Sequence, residues 1–261
     1  MSYTSTPVAQ GITLINGIEA ECCMYLVEGE STALLVDTGM GIENTADLVA
    51  SMTRLPVQVI NTHGHGDHSG GDMYFKSVML HEKAEPDARD AVELNKTVLP
   101  PAQIETIRKI LSEGSFQSVY VHEGDVIDLG GRSLEIIEVP GHTSGCIALH
   151  DSLTGLLLCG DCLLQAMDIL LVVPQALSVH EYLASMKKLE ARKDRITGLL
   201  TGHDKGIMPI SFLEDSVACC EKLVSGELVG DELELPPVFG DTHARRIAYG
   251  TIAVSYRPGR L

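Results

Sequence analysis

Four times in this chain an apolar run of strand-forming residues stops on a histidine or an aspartate beside glycine. That recurrence restricts the fold more than any other feature. "VQVI" runs into "INTHGHGDHSGG", "LEIIEV" into "PGHTSG", "LLLCG" into Asp161, and "ITGLLTG" into His203. Ligand-type side chains on separate segments can meet when their strands finish along one edge and the loops there converge. The chain therefore has to bring several buried strands to a common edge.

The remaining pattern says what surrounds those strands. The first half opens with the β-like runs "ITLI", "CCMYLV" and "ALLVD", then a helix over "NTADLVASM" and a strand at "SVMLH". Helical spacing follows over "AEPDARDAVELNKT" and "PAQIETIRKILSEG". The second half alternates in the same way, with a hairpin over "VIDLGGRSLEIIEV", strands at "CIALH" and "GLLLCGD", and the helix "SVHEYLASMKKLEAR". Ser178 with Glu181, and Ser211 with Glu214 ahead of "SVACCEKLV", read as capping boxes. Two batches of strands, each followed by helices, suggest a four-layer αββα sandwich, two packed mixed sheets with helices on both outer faces. Spacing alone allows other α/β layerings. No repeat or flexible linker splits residues 1–261, which read as a single domain. A helical lid is expected at 84–115, a C-terminal hairpin at 243–257, and an acidic linker at "GELVGDELELPP".

The loop at 60–71 carries the densest chemistry. His63, His65 and His68 crowd around Asp67, and imidazole nitrogen with carboxylate oxygen suits zinc, and also iron or manganese. Gly64, Gly66, Gly70 and Gly71 are expected to let the backbone turn tightly, or left-handed, so that these side chains converge. Adding His142, Asp161 and His203 from the other strand ends gives five histidines and two aspartates, the inventory of two metal sites sharing a bridge.

Taken together, "LLVDTG", "THGHGDH", "PGHTSG", "CGD" and "TGHD", in this order, resemble the motifs of the metallo-β-lactamase superfamily. The resemblance implies the αββα fold with its metals on one edge. It places His63, His65 and His142 on a first metal, and Asp67, His68 and His203 on a second. Asp161 then bridges the two, and Asp37 orients the loop or a ligand by hydrogen bonds. The implied cofactor is a pair of zinc ions. Zinc lowers the pKa of bound water to about 7, giving a nucleophile for a carbonyl. Asp67 and Asp161 are the carboxylates expected to take part in catalysis, Asp67 also by holding the nucleophile.

Charge and composition narrow the substrate. With 19 Lys+Arg against 36 Asp+Glu the formal net charge is -17, which argues against nucleic-acid and membrane partners. The start, "MSYTSTPVAQ", shows no secretory pattern, so the expected compartment is the cytoplasm. Seven cysteines, two pairs of them adjacent, read as buried hydrophobes, including the "CGDC" at 159–162. A small-molecule ester, lactone or thioester is the expected substrate. "CLLQAMDILLVVPQAL", 162–177, is either an apolar pocket wall, core, or a homodimer contact. Hydroxyacylglutathione hydrolases share a similar histidine motif, but the tail after His203 departs from their C-terminal helical domain. The alternatives are an iron-dependent persulfide dioxygenase of the same fold and a non-catalytic binding protein on this scaffold. His81, His122, His150, His180 and His243 read as isolated surface or core histidines.

Overall fold

The structure is a computed structural model that describes residues 3–17, 22–91, 100–113 and 115–261. The chain divides into two compact units, residues 1–136 with 151–154 and residues 137–150 with 155–261.

In the first unit one mixed sheet carries, in chain order, β1 (Tyr3–Ala9), β2 (Ile12–Gly17), β3 (Cys23–Glu28), β4 (Ala33–Val36), β5 (Val57–Ile60), β6 (Ser77–Leu80) and β7 (Gln117–Tyr120). The first four pair antiparallel, and β4 through β7 run parallel. Central parallel strands need cover on both faces, and β4 reads Ala-Leu-Leu-Val, buried throughout. The outer strand β1 carries an exposed Thr-Ser-Thr stretch and Pro7, as an edge tolerates. The core gathers Ile15, Leu26, Leu35, Val59 and Val78, with Val49 supplied by the helix Thr45–Met52.

Of the helix expected from residue 84, Glu85–Arg89 is helical, and residues 92–99 lie outside those described. The following helix, Pro101–Glu113, packs Ile104 and Ile107 with Cys22 and Met40. The expected hairpin is present as β8 (Val126–Asp128) antiparallel to β9 (Ser133–Glu138), whose last residues pass into the second unit.

The second unit contains β10 (Ile147–Asp151), β11 (Leu156–Gly160), β12 (Ile169–Leu171), β13 (Gly198–Thr201), β14 (Asp231–Glu234), β15 (His243–Tyr249) and β16 (Ile252–Tyr256). β11 pairs antiparallel with β10 and parallel with β13. A small separate sheet has the order β12-β16-β15-β14. The helices Val179–Glu190 and Ser211–Val224 bury Tyr182, Met186, Phe212 and Cys220 against Val139, Leu157 and Leu199.

Two local expectations are corrected. The Ser178–Glu181 capping box forms as expected, but Ser211 is no cap. The chain is already wound at Ile210, whose carbonyl accepts from Leu213 N at 3.0 Å, so Ser211 sits inside the first turn. The acidic stretch expected as a linker contains β14, because β15 offers it a ladder. There Arg245 stands opposite Glu232, 4.0 Å from its carboxylate, and opposite charges across a pair stabilise it, while the Arg246 guanidinium is taken by Asp168. The C-terminal hairpin expected at 243–257 is β15 with β16. All seven cysteines are free and buried, and burial pushes the Cys22 thiol up to about 12. Among the described residues no helix is long and apolar enough to cross a membrane.

Candidate metal centre

In the first unit the parallel pairing of β4 with β5 keeps their ends level, Val36 opposite Ile60. Asp37 leaves one strand where Asn61, Thr62 and His63 leave the other, and Asp37 N donates to Ile60 O at 2.8 Å. A short helix, Gly66–Ser69, then turns His68 back toward Asp37. His63 and His68 are fully buried, with ring centroids 4.3 Å apart, and His65 lies 4.7 Å from His63.

Hydrogen bonds fix how these rings face. Thr62 donates its backbone N–H and its hydroxyl to the Asp37 carboxylate, at 2.7 Å and 2.9 Å. Its single proton so committed, the Thr62 hydroxyl accepts from His63 Nδ1 at 3.1 Å. Asp37 Oδ2 also takes His68 Nδ1–H at 2.9 Å. Both imidazoles are thereby held with the proton on Nδ1 and the lone pair on Nε2, the arrangement of a metal-ligating histidine. His68 Nε2 faces Asp67 Oδ2 at 3.4 Å.

Of the tight or left-handed turns expected of the loop glycines, the left-handed ones are absent. None of Gly64, Gly66, Gly70 and Gly71 is left-handed; the non-glycine residue that is, among those described, is Asp37, at φ 63°. Gly64, Gly70 and Gly71 are required for close approach instead. A Cβ on Gly64 would lie 2.2 Å from Ala84 O, and one on Gly70 2.5 Å from Gly66 O.

The second unit repeats the device. β11 and β13 end level, and Gly202 N donates to Gly160 O at 2.9 Å, so Asp161 and His203 emerge side by side. His142 gives Nδ1–H to Leu170 O at 2.9 Å, which leaves its Nε2 as an acceptor. That Nε2 lies 3.7 Å from Asp161 Oδ2, and His203 Nε2 lies 3.3 Å from the same oxygen.

This donor set fits divalent metal. Acceptor atoms repel when they face each other bare, and a cation between them removes the conflict. Ligands on a tetrahedral zinc with bonds of 2.0–2.1 Å sit about 3.3 Å from one another. The Asp67–His68 and His203–Asp161 separations, 3.4 and 3.3 Å, match that spacing, and the 3.7 Å of His142–Asp161 comes close to it.

The supporting residues were less visible in the sequence. Asp72, four residues past His68, and Asp204, the last letter of "TGHD", are buried acids close to the candidate ligands in the chain, and nothing local marks either for a supporting role. Of the histidines isolated in the sequence, His150 Nε2 meets Arg195 O at 3.0 Å and His81 Nδ1 accepts from Lys83 N at 3.1 Å, as core histidines do. His81 is not isolated in space, its ring standing edge-on to that of His122 with centroids 5.7 Å apart.

Comparison with known proteins shows the family to which the chain belongs. The acyl-coenzyme A thioesterase MBLAC2 of Gallus gallus is 29% identical over 199 residues, covering 69% of this chain and 71% of its own. The same enzyme of Homo sapiens is 28% identical over 202 residues, covering 69% and 72%. A hydroxyacylglutathione hydrolase of Aeromonas hydrophila is 29% identical over 143 residues, 55% of this chain and 47% of that one. Among solved structures, a metallo-beta-lactamase from Pontibacter korlensis superposes with a TM-score of 0.64 at 17% identity, covering 84% of this chain and 99% of that chain. At that identity the likeness speaks for the αββα fold alone. The metallo-beta-lactamase superfamily model matches residues 21–203. The chain belongs to the metallo-beta-lactamase superfamily and is a metal-dependent hydrolase.

Proposed function

We propose that this enzyme hydrolyses acyl thioesters at a dinuclear zinc centre. His63, His65 and His142 hold one ion, Asp67, His68 and His203 hold the other, and Asp161 bridges them. The observation that carries the reading is Asp161 Oδ2, which is approached by the Nε2 atoms of both His142 and His203. One carboxylate oxygen between two imidazoles is what a shared ligand of two ions requires. The thioester follows from the named relatives, a coenzyme A thioesterase and an acylglutathione hydrolase, which have that linkage in common.

When bound, the ions supply an acidified water and Lewis acidity toward the substrate carbonyl. The chain's own residues set that chemistry up. Asp37 and the Leu170 carbonyl hold the His68 and His142 rings so that Nε2 points at the centre. Asp67 is only part-buried, and as a general base its carboxylate takes the proton that the nucleophile releases. The burial of His63, His65, His142 and His203 keeps solvent from competing for the ligand atoms.

Metal analysis by inductively coupled plasma mass spectrometry, paired with a screen of acyl-coenzyme A, acylglutathione and lactone substrates, tests this. Near two zinc per chain with thioester turnover is the expected result, and Asp161→Ala or His142→Ala should lose bound metal and nearly all rate. One iron per chain and no acyl hydrolysis would replace the reading with sulfur oxidation. Full metal and activity in either variant would remove the site assignment.

A further inference from the structure

We infer that Asp72 and Asp204 are positioning residues for the metal ligands: each is a buried carboxyl that ties together ligand-bearing segments of its own unit. The inference rests on the metal-centre reading above and adds to it two residues that bind no ion themselves.

Asp72 is 1% exposed. Its Oδ1 accepts the Thr38 hydroxyl at 2.8 Å, and its Oδ2 accepts the Asn61 side-chain amide at 2.6 Å. Thr38 follows Asp37 and Asn61 stands two residues before His63, so one carboxyl grips the chain where it leaves β4 and where it leaves β5. Thr38 is also bonded to the third segment, its N–H reaching His68 O at 2.7 Å. The three stretches that bear Asp37, His63 and His68 thus meet on Asp72.

Asp204 does the same in the second unit, where it is 6% exposed. Its Oδ1 accepts Ala166 N at 2.7 Å, and its Oδ2 accepts Gln165 N at 2.8 Å and the Thr201 hydroxyl at 2.9 Å. It directly follows His203, and Gln165 and Ala166 lie on the loop leaving Asp161. The clamp therefore sets His203 against Asp161.

A buried acid is a costly way to stabilise a fold. Asp72 is held by neutral partners, and burial pushes its carboxyl up to about 8. An apolar side chain would fill the space without that cost. What the acid supplies is direction, two oxygens aimed at the Thr38 hydroxyl and the Asn61 amide.

The two clamps answer differently to an amide, which gives the test its sharpness. At Asp72 one partner is the Asn61 side chain, and its Oδ1 makes no hydrogen bond. Turning that amide over lets an asparagine at 72 donate where the aspartate accepted. At Asp204 two partners are backbone N–H groups, which cannot turn, so an asparagine there sets N–H against N–H.

Zinc affinity, measured by competition with a chromophoric chelator well below the melting temperature, is the readout. Asp72→Ala and Asp204→Ala should each bind zinc about 10- to 100-fold more weakly, the usual cost of losing an outer hydrogen-bond partner. Asp72→Asn should stay within about threefold of wild type, well short of that loss. Asp204→Asn should be as weak as its alanine variant. Val78→Ala and Leu223→Ala, core truncations in the two units, report what lost stability alone does, and should lower the melting temperature with zinc affinity unchanged. If the Asp72 and Asp204 alanine variants bind zinc like wild type, or no more weakly than these core variants, the inference is overturned. Wild-type protein that takes up no zinc would remove the metal centre first, a result seen before any variant is made.

Discussion

Asp37 shows most directly how one residue prepares the centre. It is held left-handed, a conformation costing an ordinary side chain roughly 1–2 kcal/mol. In that conformation its carboxylate accepts from Thr62 and from His68 Nδ1. Asparagine tolerates the same backbone, so Asp37→Asn separates strain from chemistry. An amide keeps one acceptor and loses the other, and either His68 or Thr62 goes without. The variant is expected to melt close to wild type while binding zinc about 10- to 100-fold more weakly. Calorimetry alongside metal titration checks both halves. Equal zinc affinity would mean the carboxylate does not orient the ligands.

At the scale of elements, two helices begin with the same Ser-x-x-Glu pattern and only one uses it. Ser178 accepts from Glu181 N at 3.2 Å and Glu181 answers to Ser178 N at 3.0 Å. Ser178→Ala should cost about 1 kcal/mol in urea unfolding. Ser211→Ala should change stability by less than about 0.5 kcal/mol, because that side chain caps nothing. A loss of similar size in both would contradict the assigned helix start. The same contrast explains β14. Its Asp-Glu-Leu-Glu is a poor strand by propensity, and it pairs because β15 lies alongside as a ladder, with Arg245 in register with Glu232. Local pattern proposes such elements, and neighbours brought from far along the chain decide them.

Across the molecule the acidic surplus makes a buried cation conspicuous. Arg132 is 4% exposed and grips both oxygens of Asp151, at 2.7 and 2.8 Å, while also donating to Gly11 O and Glu28 O. It joins the N-terminal hairpin turns to the 151–154 segment within the first unit. Burial pushes the Asp151 carboxyl up, but the Arg132 guanidinium and the Thr154 hydroxyl outweigh it and hold it below its ordinary 3.8. A depressed carboxyl contributes stability above the unfolded value and loses it as pH falls through the folded one. Acid unfolding of wild type should therefore include this pair, with stability dropping once pH falls below about 3.8. Arg132→Met leaves Asp151 buried without its counter-charge and should cost about 3–5 kcal/mol at neutral pH. Urea melts at pH 7 and pH 3 measure both, and a variant as stable as wild type at pH 7 would show that the pair is dispensable.

The sequence by itself marked the candidate ligand residues and their placement: His63, His65, Asp67, His68, His142, Asp161 and His203 all stand at or within a few residues past the end of an apolar strand. Such a pattern is legible because side-chain type and strand period are local properties. The helix stripes and the Ser178 cap were local too, and were equally plain. Tertiary structure alone decided the rest. The level ends of β4 with β5 and of β11 with β13 depend on ladder register between segments distant in the chain. So do the left-handed Asp37, the close packing that demands Gly64, and the carboxyls of Asp72 and Asp204. Each is a choice made by a hydrogen bond or a close contact with a residue met only after folding, and no local pattern records it.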